Sequence, residues 1–154
     1  MRRVVRDDAI LAIGVAGGIG GLAQALPLGT ATTCCCTPWS LLAALAAVIF
    51  VVKRTRTALE PAEGALIGLG VGAITGLLGG CLAALRQMAS MDGLLGGFLR
   101  DRHEALGFGL AQHLWGAIVI FLVHALFGLV LGPLGGWIAS LLVKPPPPPP
   151  TPPG

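Results

Sequence analysis

Four cysteines are the residues of this chain with the most obvious capacity for chemistry. Cys34, Cys35 and Cys36 are consecutive, whereas Cys81 stands alone. Adjacent cysteines are poorly placed to bridge each other without strain, and a metal site favours ligands at CxxC-like spacing with histidine or carboxylate. Three interpretations follow, in this order: thiols that behave as small apolar side chains, a disulfide between Cys81 and one member of the cluster, and a metal site.

Two histidines form the second candidate for chemistry. His113 and His124 are almost three helical turns apart, so a helix would place them on one face. Polar side chains inside a membrane are candidates for a proton or ion path, and Gln24 is a potential partner. A single hydrogen bond between helices would explain His124 equally well, and no carboxylate within the apolar stretches completes a proton relay.

No residue pattern in the chain predicts catalysis. The segment Gly18-x-Gly20-x-x-Ala23 matches a relaxed dinucleotide-binding pattern, but that site needs an acidic residue about 20 positions further on, within a βαβ unit. No Asp or Glu occurs between Asp8 and Glu60. We therefore expect no enzyme, no cofactor, and no catalytic or metal-binding residues.

The composition indicates a membrane protein. Of the 154 residues, 55% are hydrophobic and 11% are charged, and the mean hydropathy is +0.85. An ordinary soluble domain has about 25% charged residues, so this composition nearly excludes a soluble enzyme. The 24 glycines suit closely packed membrane helices. The net charge of +3 is accounted for by membrane topology, so we expect the lipid bilayer as partner and no nucleic acid.

Charge-free stretches locate the elements that would position these side chains. They cover 9–52, 64–85 and 105–143, and a helix needs about 20 residues to cross a bilayer core. The sequence predicts an all-α bundle, residues 1–143, with spans at about 9–28, 38–52, 64–85 and 106–131, the last continuing past a kink at Pro133 to 143. The tail, 144–154, contains eight of the twelve prolines and is predicted to be disordered polyproline.

Basic residues predict the orientation of these spans. Six of them flank the first pair of spans at one end: Arg2, Arg3, Arg6, Lys53, Arg54 and Arg56. The positive-inside rule then places both termini in the cytoplasm and the chain in the inner membrane as a multi-pass protein. The cysteines would reach the outer side, where disulfides are permitted. In the reversed topology the cluster becomes a candidate for palmitoylation.

Glycines at every fourth position are the most specific motif. Residues four apart share a helix face, and removing Cβ there lets a neighbouring backbone approach closely. The predicted helix-packing glycines lie in three spans: Gly14 and Gly18; Gly64, Gly68, Gly72, Gly76 and Gly80; and Gly128, Gly132 and Gly136. In the first span, Gly17 and Gly21 form a second pair with the same spacing. These stripes predict packing within the bundle, and their surplus predicts a homo-oligomer or a larger membrane assembly.

The order of these features resembles small uncharacterised bacterial inner-membrane proteins with a Cys-rich first connection and a Gly-rich third helix. The resemblance covers roughly 9–85 and includes the segment Glu60-Pro61-Ala62-Glu63-Gly64-Ala65-Leu66-Ile67-Gly68. It implies a polytopic membrane protein of unknown function and transfers no ligand residues.

Three functions follow from the sequence. The leading expectation is a non-enzymatic helical bundle with a structural, assembly or self-associating role. One alternative is a small channel or permease with His113 and His124 facing a polar path. The other is a membrane redox or metal protein that uses the Cys34–Cys36 cluster.

Overall fold

A computed structural model describes residues 3–25, 38–89 and 105–144, and these form four α-helices. They are α1 (Arg3–Ala25), α2 (Pro38–Thr55), α3 (Pro61–Ala89) and α4 (Ala105–Leu142). No strand occurs within the described ranges. The all-helical fold class with four helices is thus confirmed, while the Cys34–Cys36 cluster and the tail beyond Lys144 lie outside the described residues.

The helix α3 begins three residues before the predicted span because its start lies in a polar cap. The backbone N–H of Gly64 donates to the Glu60 carbonyl at 3.0 Å, which makes Glu60 the N-cap. Pro61 takes the first helical position, where its missing N–H has no cost. The Glu63 carboxylate accepts from the Glu60 N–H at 3.3 Å, as in half of a capping box.

The connection between α2 and α3 is short and locally bonded. The Thr55 hydroxyl donates to the Val51 carbonyl at 2.8 Å, in the last turn of α2. Arg56 follows in the left-handed region, with φ of 51°, where a helix commonly ends but usually on glycine. Leu59 is buried and anchors the connection to the hydrophobic core.

Pro133 does not divide α4. The sequence predicts a kink or break there, because proline removes one backbone hydrogen bond and crowds the preceding turn. The structure instead assigns one helix from Ala105 to Leu142 with Pro133 inside it. The adjacent Gly132 packs closely on α3, where an added Cβ would overlap the Gly68 carbonyl oxygen.

The contacts between side chains fix the directions of the helices. The Asp8 carboxylate pairs with Arg54 and Gln24 bonds to Ser40, so α1 and α2 are antiparallel. Ile13 lies beside Gly70 and Gln24 beside Gly79, so α1 and α3 are parallel. The core between them is built from small and β-branched residues, which suits closely spaced helices: Ala9, Ala12, Ala44, Ala47, Val48, Val51, Val52, Ile67, Val71 and Ala139.

Two of the described helices are long and apolar enough to cross a membrane by length and composition. They are Pro61–Arg86 within α3 and Leu114–Leu142 within α4. The two segments differ in burial, since 44% of the residues are buried in an apolar stretch of 18 residues of the first segment and 11% in such a stretch of the second. The spans predicted in α1 and α2 remain predictions.

Candidate functional site: helix contacts and the polar groups between them

Glycines of α3 and α4 bring the two backbones into direct contact. A Cβ added at Gly68 or Gly72 would overlap the carbonyl oxygen of Gly132 or Gly128, respectively. A Cβ added at Gly64 would lie 2.6 Å from the Gly136 carbonyl oxygen. Since these distances are far shorter than van der Waals contact, no residue larger than glycine fits without moving a helix. The pairs also run in opposite chain directions, so α3 and α4 are antiparallel.

The contact continues toward the C-terminal end of α3 but changes its partners. At Gly76 a Cβ would lie 2.8 Å from the His124 carbonyl oxygen, and at Gly80 it would lie 3.1 Å from the Phe121 ring. The α3 face therefore meets glycine backbone over its first three positions and larger residues of α4 over the last two. Dispersion between backbones in contact is one of the few forces that associate helices in lipid.

Of the two glycine pairs predicted on α1, Gly14 and Gly18 do not meet another of the described helices. Gly14 and Gly18 have no neighbouring atom within 4 Å of an added Cβ. The contact with α3 is made instead by Gly17 and Gly21, where a Cβ would lie 2.8 Å from Cβ of Ile74 and Leu78, respectively. Residues three positions apart are rotated by about 300° around the helix axis, which is about 60° short of a full turn. The face with Gly14 and Gly18 is therefore next to the face with Gly17 and Gly21 and points outward.

Buried hydroxyl groups link α1 to α2 and α3. Ser40 and Thr75 have no exposed surface. Gln24 Nε2 donates to Ser40 Oγ at 3.2 Å, and Thr75 Oγ1 donates to the Gly17 carbonyl at 3.2 Å. Sequence reasoning missed Ser40 and Thr75, although hydroxyl side chains within apolar spans commonly hydrogen-bond across helices. These bonds satisfy groups that would be costly to leave unpaired in an apolar interior.

Gln24 and His124 lie against different faces of α3. Gln24 packs its amide oxygen on Gly79, while His124 approaches the adjacent Gly80, with a Cβ there 3.3 Å from His124 Cβ. Nδ1 of His124 lies 2.8 Å from the Ile120 carbonyl oxygen. Because a carbonyl only accepts, Nδ1 is the donor, and the ring is held by its own helix. The side chain of His113 lies outside the described residues, so the shared histidine face stays a prediction.

The cysteine chemistry stays a prediction as well. Cys81 is an exposed thiol on α3, and its candidate disulfide partners, Cys34–Cys36, lie outside the described residues. Within the described ranges, no three His, Cys, Asp or Glu side chains come together in a group that could hold a metal ion.

Charged side chains mark the ends of the bundle rather than its middle. Asp8 Oδ1 lies 2.7 Å from Nε of Arg54. The guanidinium of Arg54 also lies 5.8 Å from the centre of the Phe50 ring, within cation–π range. Lys53 is exposed beside them. The arrangement leaves an apolar middle zone whose polar groups are hydroxyl, amide and imidazole.

No protein-family model, curated protein or solved structure matches this chain. The described helices have three features that bear on function: backbone contact between α3 and α4, hydrogen bonds from α1 to hydroxyl groups of α2 and α3, and an apolar outer surface. The resemblance to small bacterial inner-membrane proteins stays a prediction.

Proposed function

We propose that this chain is a non-enzymatic integral membrane protein whose helices form a structural or assembly unit in the inner membrane. The observation that supports it most is the exposure of α4. Its segment Leu114–Leu142 is long and apolar enough to cross a membrane, and within an apolar stretch of 18 of its residues only 11% are buried. A core helix of a soluble protein would pass the same length test but would be mostly covered, so the outer face of α4 needs lipid or a partner helix.

Exposed large side chains extend that surface over every helix. On α4 they include Trp115 at 68% and Leu126 at 63% exposure, and on α1 they include Ile19 at 64%. Monomeric soluble proteins rarely expose such large contiguous apolar patches. The bilayer is therefore the proposed partner of the bundle, with all four helices crossing it.

The orientation proposed for the bundle is cytoplasmic at both termini. Lys53 and Arg54 lie in the last turn of α2, Arg56 follows it, and Lys144 follows α4. The antiparallel pairs place these ends together, because Gly136 of α4 packs on Gly64 at the start of α3, close to the end of α2. A common basic end is what the positive-inside rule associates with the cytoplasm.

The glycine contacts between α3 and α4 suit a structural role within a single chain. The outer face of α1 is left for association with another copy or another protein. The α3 stripe is used internally by α4, so it no longer supports contact between copies. Gly14 and Gly18 remain open on α1, among exposed apolar side chains. Self-association through this outer face is the proposed route to a homo-oligomer or a larger assembly.

Reporter fusions test the proposed topology. Fusions after Thr57 should report the cytoplasm, and fusions after Ala89 should report the outer compartment. The opposite pair of results would overturn the orientation, and recovery of the untagged chain in the soluble fraction without detergent would overturn the membrane proposal itself. Intact mass of the complex in mild detergent then tests self-association, and a monomer under all conditions would contradict it.

The competing channel function makes a different prediction. A proton path would require His124 to exchange protons along the α3–α4 contact, whereas its Nδ1 is held by Ile120. In sealed vesicles we expect no pH-dependent flux above that of vesicles without protein. Flux that disappears in a His124→Ala variant would favour the permease over the structural bundle.

A further inference from the structure

A groove lies between α1 and α2 on the outer surface of the bundle. Its volume is about 620 Å³, which falls within the range of small-molecule sites. Its floor is formed by small, buried residues: Ala12, Gly20 and Ala47. Its rims are formed by large, exposed residues: Leu11, Val15, Ile19, Leu42 and Phe50. The groove exists because the residues of its floor lack the side chains that would fill it.

The length of the groove matches one leaflet of a bilayer. On α1 it runs from Leu11 to Ala23, which corresponds to about 18 Å of helix. One leaflet contributes about half of the hydrocarbon core of about 30 Å. The groove follows the helices, and on the proposed topology it therefore runs across the membrane in the direction of a lipid chain. Trp39 lines the end away from the charged residues.

The other end of the groove carries positive charge. Phe50 lines it there, and Lys53 and Arg54 follow three and four positions later, one helical turn beyond. The Asp8 carboxylate at this end is already paired with Arg54 at 2.7 Å. Lys53 is exposed and adds a second positive charge, and Asp7 is exposed beside Asp8. In the sequence, six basic residues flank this end of α1 and α2 against these two acidic ones: Arg2, Arg3, Arg6, Lys53, Arg54 and Arg56. The end of the groove thus suits an anion attached to a hydrocarbon chain.

We propose that this groove binds an anionic phospholipid, with one acyl chain between α1 and α2 and the phosphate beside Lys53 and Arg54. This inference rests on the proposed membrane location of the chain. The acyl chain covers the small-residue floor that the two helices leave open. The basic pair selects the headgroup, since a Lys or Arg near a membrane surface favours anionic lipid.

The test uses the full chain in nanodiscs of equimolar phosphatidylcholine and phosphatidylglycerol, followed by detergent extraction and native mass spectrometry. Wild-type protein should retain phosphatidylglycerol preferentially. Lys53→Gln should lower the ratio of retained phosphatidylglycerol to phosphatidylcholine about five-fold, the effect expected of one basic residue near the surface. Lys144→Gln is the matched control, because it removes the same charge from an exposed residue at the same end of the bundle, and it should leave the ratio unchanged.

A second pair of variants locates the lipid. Ala46 lines the groove and is exposed, so Ala46→Phe fills the groove and should abolish lipid retention. Ala62 is exposed at the start of α3, and Ala62→Phe should have no effect. Circular dichroism shows whether each variant is folded. If Ala46→Phe fails to fold, a variant with Trp39 as its only tryptophan supplies an independent readout. Its fluorescence should be quenched more by brominated phosphatidylglycerol than by brominated phosphatidylcholine.

Several results would overturn the proposal. The first is equal retention of both lipids by wild-type protein, and the second is a folded Ala46→Phe variant that retains as much lipid as wild type. The third is equal quenching of Trp39 by both brominated lipids. The fourth is conversion of a dimer into a monomer by Ala46→Phe, which would show that a second copy of the chain occupies the groove. Each can occur in a protein that is fully embedded in the membrane, and then the proposed function stands while the lipid site fails. A chain found in the soluble fraction would instead remove both.

Discussion

Replacing Gly72 with alanine tests the backbone contact between α3 and α4 most directly. The added Cβ would overlap the Gly128 carbonyl oxygen and lie 2.9 Å from Gly132 Cα. Both obstacles are backbone atoms, so no side chain can rotate away. Gly18→Ala is the matched control, because the same methyl group meets nothing within 4 Å. Gly70→Ala is the intermediate case, since its Cβ would lie 3.0 Å from two carbon atoms of the flexible Ile13 side chain.

The expected magnitude follows from the distance that α4 must retreat. Relieving the contact with Gly132 Cα alone takes about 0.5 Å, which forfeits about a quarter of the dispersion energy of each contact affected. We take the total dispersion energy of the glycine contacts along α3 to equal that of one buried leucine, about 4–12 kcal/mol. A quarter of this energy is about 1–3 kcal/mol, which is the expected loss. Overpacking of interiors costs a similar amount. Alanine gains back about 1 kcal/mol through its helix propensity, so the net loss at Gly72 is about 0–2 kcal/mol. The overlap with the Gly128 oxygen requires a larger retreat than the contact with Gly132 Cα and therefore favours the upper end of this range.

The assay is unfolding by sodium dodecyl sulfate in mild detergent, followed by tryptophan fluorescence and helical circular dichroism. Gly72→Ala should unfold at lower denaturant than wild type, and Gly18→Ala should be unchanged or more stable by up to about 1 kcal/mol. Gly70→Ala should lie between them. Equal tolerance of Gly72→Ala and Gly18→Ala would refute the reasoning. So would a Gly72→Ala protein that keeps its stability and only changes its oligomeric state, because the stripe would then pack between copies.

Three further predictions concern single side chains. Thr75→Val should lower the free energy of unfolding by about 0.6–1.7 kcal/mol, because it removes the hydrogen bond to the Gly17 carbonyl. Thr75→Ser keeps the hydroxyl and should retain most of the stability in the same assay, and a Val variant as stable as wild type would contradict the role of this bond. Arg56→Gly should stabilise the chain by about 1 kcal/mol, since φ of 51° strains any side chain, whereas Arg56→Ala should not; equal thermal stability of the two would contradict the strain. If Cys81 bridges the cysteine cluster, thiol labelling of unreduced, denatured protein should find two free cysteines, and finding all four free ends that hypothesis.

The presence of the four helices could be predicted from charge-free stretches, but their ends could not. The predicted span of α3 begins only after the last preceding charged residue, Glu63. The helix itself begins earlier, at Pro61, because Glu60 and Glu63 cap it. The sequence predicts that the fourth span continues past a kink at Pro133, and the structure has one helix up to Leu142. The kink is predicted from local sterics alone, whereas the close packing of Gly132 on α3 depends on another part of the chain.

Glycine spacing defines a single face on α3 but two adjacent faces on α1, so the spacing alone does not say which α1 face contacts a partner helix. On α3 the glycines at every fourth position define one face, and α4 packs against that face. On α1 the glycines are dense enough to define two adjacent faces, one with Gly14 and Gly18 and the other with Gly17 and Gly21. Only the positions of Ile74 and Leu78 on the partner helix decide between them.

Glycine therefore serves two different kinds of contact in this bundle. Between α3 and α4 it brings backbone against backbone, as Gly68 and Gly132 do, so the opposing atoms are fixed. Between α1 and α3 it receives a side chain from the other helix, as Gly17 receives Ile74 and Gly70 receives Ile13. A side chain can adjust its rotamer at modest cost, whereas a backbone can move only with its whole helix. A substitution at the glycines between α3 and α4 can for this reason be accommodated only by moving a helix, whereas one at Gly17 or Gly70 can be accommodated in part by a side chain of the opposing helix.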